Sequence, residues 1–121
     1  MPIGALDHVA VPVTDLAASR RFYEQVLGLE EDPGRPDVPV AGAWLNLPGG
    51  GQVHLFVTAE GHPAGIGHFA LSVTDLDALV AGLTAAGVGV RVLPQMTAAR
   101  QAFLVDPDGN RIELNEAPVG S

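Results

Sequence analysis

The sequence predicts an α+β fold built from two tandem βαβββ modules, because one stretch of it occurs twice. Residues 7–18 read DHVAVPVTDLAA and residues 67–78 read GHFALSVTDLDA, so a histidine, an alanine and a Val-Thr-Asp-Leu block recur 60 positions apart. Further along, an offset of 59 matches Pro48 with Pro107 and Gly50 with Gly109. A half with one helix on an open sheet needs its twin to bury its remaining surface. We therefore expect a curved, cupped mixed sheet with the helices outside. It should form one domain over 1–121, with module one at about 5–60 and module two at about 65–117.

The first half opens with a strand and a helix. Residues 7–13 alternate, with valines on one face and His8 and Ala10 on the other, which is typical of a half-buried strand. Thr14 or Asp15 is a good N-cap, and the apolar spacing after it predicts a helix that ends at Gly28. Three prolines and a glycine within 29–40 indicate an irregular connection around a short or edge strand.

Alternation and turn residues place the other elements. AGAWLNL (41–47) and QVHLFV (52–57) are predicted strands joined by a turn at 48–51. The second half repeats this order, with a strand at 67–73, a helix from Asp75 to Ala86 before Gly87, and strands at 87–93, 100–105 and 110–115. A turn is predicted at 106–109, and loops at 58–65 and 94–99.

Composition excludes several classes of function. The chain has no cysteine, which removes disulfides, thiolate metal sites and cysteine nucleophiles. Six arginines, no lysine and a net charge of −8 argue against nucleic acid as a partner and against Schiff-base chemistry. No apolar run is long enough for a membrane span, and the N-terminus lacks the pattern of a signal peptide. We expect a soluble cytoplasmic protein without a membrane partner.

Four side chains with metal-binding groups occupy symmetric positions on the face opposite the helix-facing valines and leucines. They lie on the first and last strands of the two halves: His8, His54, His68 and Glu113. If the two halves form a common trough, these groups converge on one centre. Three imidazoles and a carboxylate suit Zn²⁺, Ni²⁺, Fe²⁺, Co²⁺ or Mn²⁺ and leave positions open for water or substrate. A lone strand histidine is usually structural, and His62, which lies outside the repeat, is expected to be of that kind.

The paired H-x-A-(V/L)-x-V-T-D-L motif, the QVHLF strand, GIGHF and the terminal DPDGNRIEL resemble the glyoxalase / bleomycin-resistance / extradiol dioxygenase superfamily, the vicinal oxygen chelate proteins. The resemblance covers essentially the whole chain. It implies paired βαβββ modules, usually in a homodimer, with metal ligands at the positions of His8, His54, His68 and Glu113. It also implies a substrate with neighbouring oxygens bound to the metal, and Glu113 as the proton shuttle of a glyoxalase-like isomerase.

Some residues depart from particular members of the superfamily. Glyoxalase I has glutamate at the position of His54 and an arginine for the glutathione carboxylate where this chain has Pro12, which argues against glutathione as the thiol. Fosfomycin-modifying transferases have threonine or cysteine where this chain has Ala10, and they need a lysine that it lacks. In a ring-cleaving dioxygenase, His54 as a fourth ligand would leave less room for catechol and oxygen.

The alternation of side chains between the two faces of each strand also predicts the residues that contact the substrate. These are Trp44, Asn46, Phe56, Phe103 and Arg111, with Gln52, Ser72 and Asn115 nearer the metal. Arg100 is a second candidate for a substrate carboxylate, and Phe56 and Phe103 are equally compatible with core packing. An apolar wall with few polar groups indicates a small apolar or aromatic ligand.

Two functions of different classes follow. In the first, the protein is a divalent-metal-dependent, glyoxalase-like lyase or isomerase that acts on a small metabolite with adjacent oxygens. In the second, it is a non-catalytic, bleomycin-resistance-type homodimer that sequesters an aromatic toxin or antibiotic. The four filled ligand positions favour the enzyme, because sequestering members usually lose them.

Overall fold

A computed structural model describes residues 4–60, 67–95 and 100–116 of the chain. The first half consists of β1 (His8–Val13), α1 (Leu16–Arg20) with a π-helical turn (Arg21–Val26), β2 (Glu30–Glu31), β3 (Gly42–Asn46) and β4 (Gln52–Val57). The second half consists of β5 (His68–Val73), α2 (Leu76–Ala85), β6 (Arg91–Val92), β7 (Arg100–Val105) and β8 (Arg111–Glu116). His62 lies outside the described residues, as do large parts of the predicted loops at 58–65 and 94–99.

Chain contacts divide the molecule into two compact units, Met1–Ala64 and Gly65–Ser121. Each contains a four-stranded mixed sheet, with strand orders β1-β4-β3-β2 and β5-β8-β7-β6. In each sheet the first strand pairs in parallel with the last strand of its unit, and the other pairings are antiparallel. The predicted α+β class and the repeated βαβββ order are confirmed.

The predicted alternation decides which strand face is buried. In β4, Val53 and Leu55 are fully buried, whereas His54 on the other face is half-buried. Helix α1 contacts β3 and β4, and α2 contacts β8, so each helix covers its own sheet. The buried apolar side chains of the first unit are Val11, Val13, Phe22, Tyr23, Leu29, Ala43, Leu45, Val53 and Leu55. Those of the second are Leu76, Leu83, Ala102, Leu104, Ile112 and Leu114.

Both helices begin at an aspartate of the repeated Val-Thr-Asp-Leu block. The carboxylate of Asp15 accepts from the backbone N–H of Ala18 at 3.1 Å, and Asp75 does the same with Ala78 at 3.1 Å. Each bond satisfies an N–H group that the first helical turn leaves without a partner. Neither helix of the described residues is long and apolar enough to cross a bilayer.

Two elements differ from prediction. The strand expected at 87–93 is reduced to Arg91–Val92, because Gly87 has a φ of 83° and belongs to the end of α2. The predicted first helix changes from α to π geometry at Arg21, and the N–H of Leu27 bonds the carbonyl of Phe22 at 3.0 Å. The apolar spacing did not distinguish these two kinds of helix.

Candidate functional site

The first unit places its two predicted ligands side by side on the uncovered face of the sheet. Strands β1 and β4 are parallel, and His54 lies opposite Ala10, two residues beyond His8. The two imidazoles stack, with ring centroids 3.9 Å apart and planes 12° apart. Trp44, which is opposite His54 on β3, stacks on it at 4.4 Å and 7°. The face therefore carries three stacked rings.

Polar neighbours fix the orientation of both histidines. Nδ1 of His8 donates to Asp7 at 2.7 Å, and Nε2 of His54 donates to Oε1 of Gln52 at 2.7 Å. Gln52 is itself oriented, because its Nε2 donates at 2.8 Å to both Asp32 and Asn46. Such outer partners set the tautomer of a ligating imidazole, and here they leave Nδ1 of His54 as the ring nitrogen with a free lone pair.

His54 is electrically neutral at ordinary pH. Burial lowers the pKa of its imidazole, and the positive charge that His8 can carry lowers the pKa further. A neutral imidazole is the form that binds a metal ion. The first unit therefore holds a predicted ligand in the protonation state that metal binding requires.

The second unit repeats this geometry with a carboxylate. Glu113 lies opposite Ala70, two residues beyond His68, as His54 lies opposite Ala10. Nε2 of His68 is 3.0 Å from Oε1 of Glu113. With metal–ligand bonds of about 2.1 Å, two neighbouring ligands of one ion lie about 3.0–3.4 Å apart, so this separation fits a shared cation.

Glu113 is held as an anion although its side chain is buried. Its Oε2 accepts from Asn115 at 3.0 Å and from Gln101 at 3.2 Å, while Oε1 is directed to His68. The hydrogen bond from Asn115 lowers the pKa of Glu113 most, burial opposes this, and Gln101 and His68 lower the pKa further. The carboxylate is thus ionised at neutral pH and keeps one oxygen directed at the histidine.

The predicted substrate residues are divided between the units. Phe103 makes an edge contact with His68 at 5.2 Å, and the guanidinium of Arg111 lies 5.1 Å from the Phe103 ring centroid. Asn46 adjoins Gln52 in the first unit, and Phe56 shares the face of His54 and is 36% exposed. Ser72 lies opposite Asn115 on the second sheet.

Arg100 is not with the other substrate candidates. Arg100 and Phe103 are three positions apart on β7, so their side chains point to opposite faces of the sheet. Arg100 lies on the helix side, where its Nη2 is 2.9 Å from Asp77 of α2. Glu116 is the second partner, at 3.7 Å. The expectation that Arg100 meets a substrate carboxylate is therefore wrong, because its charge already has partners.

Gln101 and Asp7 orient the ligands and were not predicted to do so. Gln101 is two positions before Phe103 on β7, so the strand alternation would have placed its side chain on the same face as the site. Asp7 directly precedes His8 and could have been found by adjacency.

Within 4–60, 67–95 and 100–116, no three His, Asp or Glu side chains form a group that could hold a metal ion. The four predicted ligands lie there as one pair in each unit.

Comparison with known proteins identifies the family of the chain. The sequence model of the Glyoxalase/Bleomycin resistance protein/Dioxygenase superfamily matches residues 5–114. The uncharacterized protein YaeR of Escherichia coli is 35% identical, in an alignment that covers 90% of this chain and 93% of YaeR.

Solved structures are similar over nearly the whole chain. A protein of Bacillus anthracis described as of the glyoxalase family superposes with a TM-score of 0.87 at 29% identity, covering 95% of this chain and 96% of that one. TnmS3, an antibiotic binding protein from Streptomyces sp. CB03234, superposes with a TM-score of 0.76 at 31% identity, covering 97% and 98%. The similarity therefore extends to proteins described in different functional terms.

Proposed function

Because the chain belongs to the Glyoxalase/Bleomycin resistance protein/Dioxygenase superfamily, we propose that it is a divalent-metal-dependent lyase or isomerase of glyoxalase-like type. Its substrate is a small metabolite with adjacent oxygens. The ligands are His8, His54, His68 and Glu113, and the metal is Zn²⁺, Ni²⁺, Fe²⁺, Co²⁺ or Mn²⁺. The protein works in the cytoplasm as a homodimer.

The environment of Glu113 is the observation that carries this proposal. A buried carboxylate is costly unless it is paired and hydrogen-bonded, and this one has two amide donors on one oxygen and an imidazole at 3.0 Å on the other. Burial with one oxygen directed at a histidine is what a ligand or a general base requires.

Different residues of the chain have different roles in the proposed reaction. When bound, a divalent cation supplies Lewis acidity that stabilises negative charge on a substrate oxygen. Glu113 enters the reaction deprotonated, because its pKa is lowered, and its carboxylate accepts the proton that leaves the substrate carbon. Gln101 and Asn115 hold that carboxylate in place. Trp44, Asn46, Phe56, Phe103 and Arg111 contact the substrate.

Metal content tests this function directly. Protein purified without chelator or added metal should contain about one transition-metal ion per chain by mass spectrometry, and His8→Ala and Glu113→Ala should lose it. His62→Ala is the matched control, since it removes a histidine outside the repeat, and it should keep the metal. A wild-type protein that stays metal-free after equilibration with each of the five cations would overturn the proposal.

Proton exchange tests the reaction. The metal-loaded protein is incubated in D₂O with a panel of small 2-hydroxy ketones and hemithioacetals, and deuterium entering the carbon next to the carbonyl is followed by NMR. Glu113→Asp should retain slow exchange and Glu113→Gln should lose it, because only the carboxylates accept a proton.

The stack of Trp44, His54 and His8 favours a second candidate function. His54 lies between the other two rings, so the outer ring faces of Trp44 and His8 are where a flat ligand could extend the stack, and TnmS3 is described as an antibiotic binding protein. In this alternative the protein is a non-catalytic homodimer that sequesters an aromatic toxin or antibiotic, with bleomycin as the first probe. Binding of bleomycin to chelator-treated protein, together with a metal-free wild type, would select this function over the enzyme.

A further inference from the structure

The second unit contains a cavity of about 470 Å³ on the uncovered face of its sheet. Strands β6, β7 and β8 and the residues before β6 line it. Three of the lining side chains are Arg91, Phe103 and Arg111, and Gly89, which has no side chain, leaves room at the edge. The volume lies in the range of small-molecule sites, about 300–1,000 Å³.

The strand register arranges two cations around one ring. Arg91 lies directly opposite Phe103 across the β6–β7 pair. Glu113 lies opposite Phe103 on the other side, and Arg111, two residues before Glu113, is its diagonal neighbour. The Arg111 guanidinium is 5.1 Å from the ring centroid, within cation–π range. The two strands that neighbour Phe103 therefore each carry an arginine near it, and the guanidinium of Arg111 reaches the ring.

Neither of these two arginines has an ion-pair partner among the described residues. Of the other four arginines, Arg20 and Arg100 are each within 4.0 Å of a carboxylate, and Arg35 donates to the backbone oxygen of Val40. Arg21 has no ion pair among the described residues but does not line this cavity. The chain has 14 acidic residues against six arginines, so carboxylates are plentiful. Two guanidiniums without a carboxylate that line the same cavity have the charge and the N–H donors to bind an external anion.

We propose that this cavity binds the anionic end of a small organic acid, with Arg91 and Arg111 on the oxyanion and Phe103 against the attached apolar group. Carboxylate and phosphate share the required chemistry, because both accept paired N–H bonds from a guanidinium. Phe103 also contacts His68 and lies opposite Glu113, so the bound acid presents its neighbouring atoms to that pair. The identification of this acid as the substrate rests on the proposed function, whereas the anion site itself does not.

Binding to metal-free protein tests the site. Benzoate, phenyl phosphate and the neutral benzyl alcohol are titrated by calorimetry into chelator-treated wild type and into Arg91→Gln, Arg111→Gln and Arg21→Gln. Arg21 is exposed and belongs to the first unit, so its variant is a control for the loss of one positive charge. Thermal unfolding of each variant shows that it remains folded.

One of the two anions should bind wild type with a dissociation constant on the order of 1 mM. Arg91→Gln and Arg111→Gln should each weaken binding at least about fivefold, whereas Arg21→Gln should not. Added salt should weaken binding, because the cavity is open to solvent. The anion that binds more tightly, benzoate or phenyl phosphate, identifies the acid as a carboxylate or a phosphate.

Three results would overturn the inference: no anion binding to wild type, benzyl alcohol binding to wild type as tightly as the anions, or anion binding to either glutamine variant as tight as to wild type. The test requires no metal, so its failure is separate from that of the proposed reaction. If the protein binds the anion but never takes up metal, the anion site is supported and the proposed metal-dependent reaction is contradicted. If the protein takes up metal but binds neither anion, the anion site is contradicted and the proposed function is not.

Discussion

Gly42 shows how closely two strands approach each other in the first unit. A Cβ built on it would collide with the backbone oxygen of Leu55 and lie 3.0 Å from Arg35. Backbone cannot move aside as a side chain end can, so Gly42→Ala should lower the free energy of unfolding by about 1–3 kcal/mol, the usual cost of overpacking. Denaturation in urea measures this value.

Gly82 supplies the matched control for that substitution. It lies inside α2, and a Cβ there meets nothing within 4 Å. Gly82→Ala should stabilise the protein by about 0.5–1 kcal/mol, since alanine is the better helix former. Equal effects of the two substitutions would contradict the clash at Gly42.

The amide of Asn115 controls the ionisation of Glu113. Because its hydrogen bond lowers the pKa of Glu113, Asn115→Ala should raise that pKa, as carboxyl NMR titration of metal-free protein would show. A carboxylate with a depressed folded-state pKa contributes stability above its unfolded pKa of about 4.3 and loses it as the pH falls through the folded value. The stability deficit of the variant should therefore be larger at pH 7 than at pH 3. A deficit independent of pH would mean that Asn115 acts by packing alone.

At the scale of elements, the π-helical turn accounts for a one-residue difference between the two halves. Gly28 follows Asp15 by 13 positions, whereas Gly87 follows Asp75 by 12. The offset between the halves changes from 60 to 59 within this segment, and the π turn at Arg21–Val26 lies inside it. A π turn holds one additional residue per turn, so both helices can end at equivalent glycines.

Deleting one residue from each helix tests this account. Removal of the exposed Gln25 should convert the π turn to regular α-helix and cost less than about 2 kcal/mol. Removal of Ala81 from the regular α2 should cost more, because it rotates buried Leu83 about 100° away from the face of Leu76. Circular dichroism and urea denaturation compare the two. If removal of Gln25 is the costlier change, the π turn has another cause.

On the scale of the whole molecule, each unit supplies one pair of the proposed ligands. His8→Ala/His54→Ala removes the pair of the first unit, and His68→Ala/Glu113→Gln removes that of the second. If the proposed site needs all four groups, each double variant should lose metal at micromolar concentrations, because two remaining ligands bind a cation weakly. Metal retained by either variant would show that one pair suffices.

Mixing the two double variants then determines how the units share an ion. In a homodimer whose sites combine one chain's first unit with the partner's second unit, random mixing restores about a quarter of the sites. Where each site uses both units of one chain, mixing restores none. Metal content after unfolding and refolding the mixture together distinguishes the two arrangements.

Most of what could be predicted came from the repeated motif and from the alternation of side chains along the strands. The equivalent positions of His8 and His68, and the alternation of Val53, His54 and Leu55, determine the fold and the uncovered faces, because the strand period fixes where side chains point. Parity does not reveal partners. That Arg100 pairs with Asp77 of α2 depends on how the helix lies on its sheet. The amide support of Glu113 depends likewise on side-chain rotamers, which pattern does not specify.

The stack of Trp44 on His54 gives this protein an internal optical signal. The chain has a single tryptophan, so its emission reports on one place. Protonation turns the stacked imidazole into a cation against the indole face, which alters that emission. With the His54 pKa lowered by burial, the fluorescence of metal-free protein should change with a midpoint below the ordinary value of about 6.5. His54→Gln should abolish the transition, and an unchanged midpoint in that variant would assign the signal to another group.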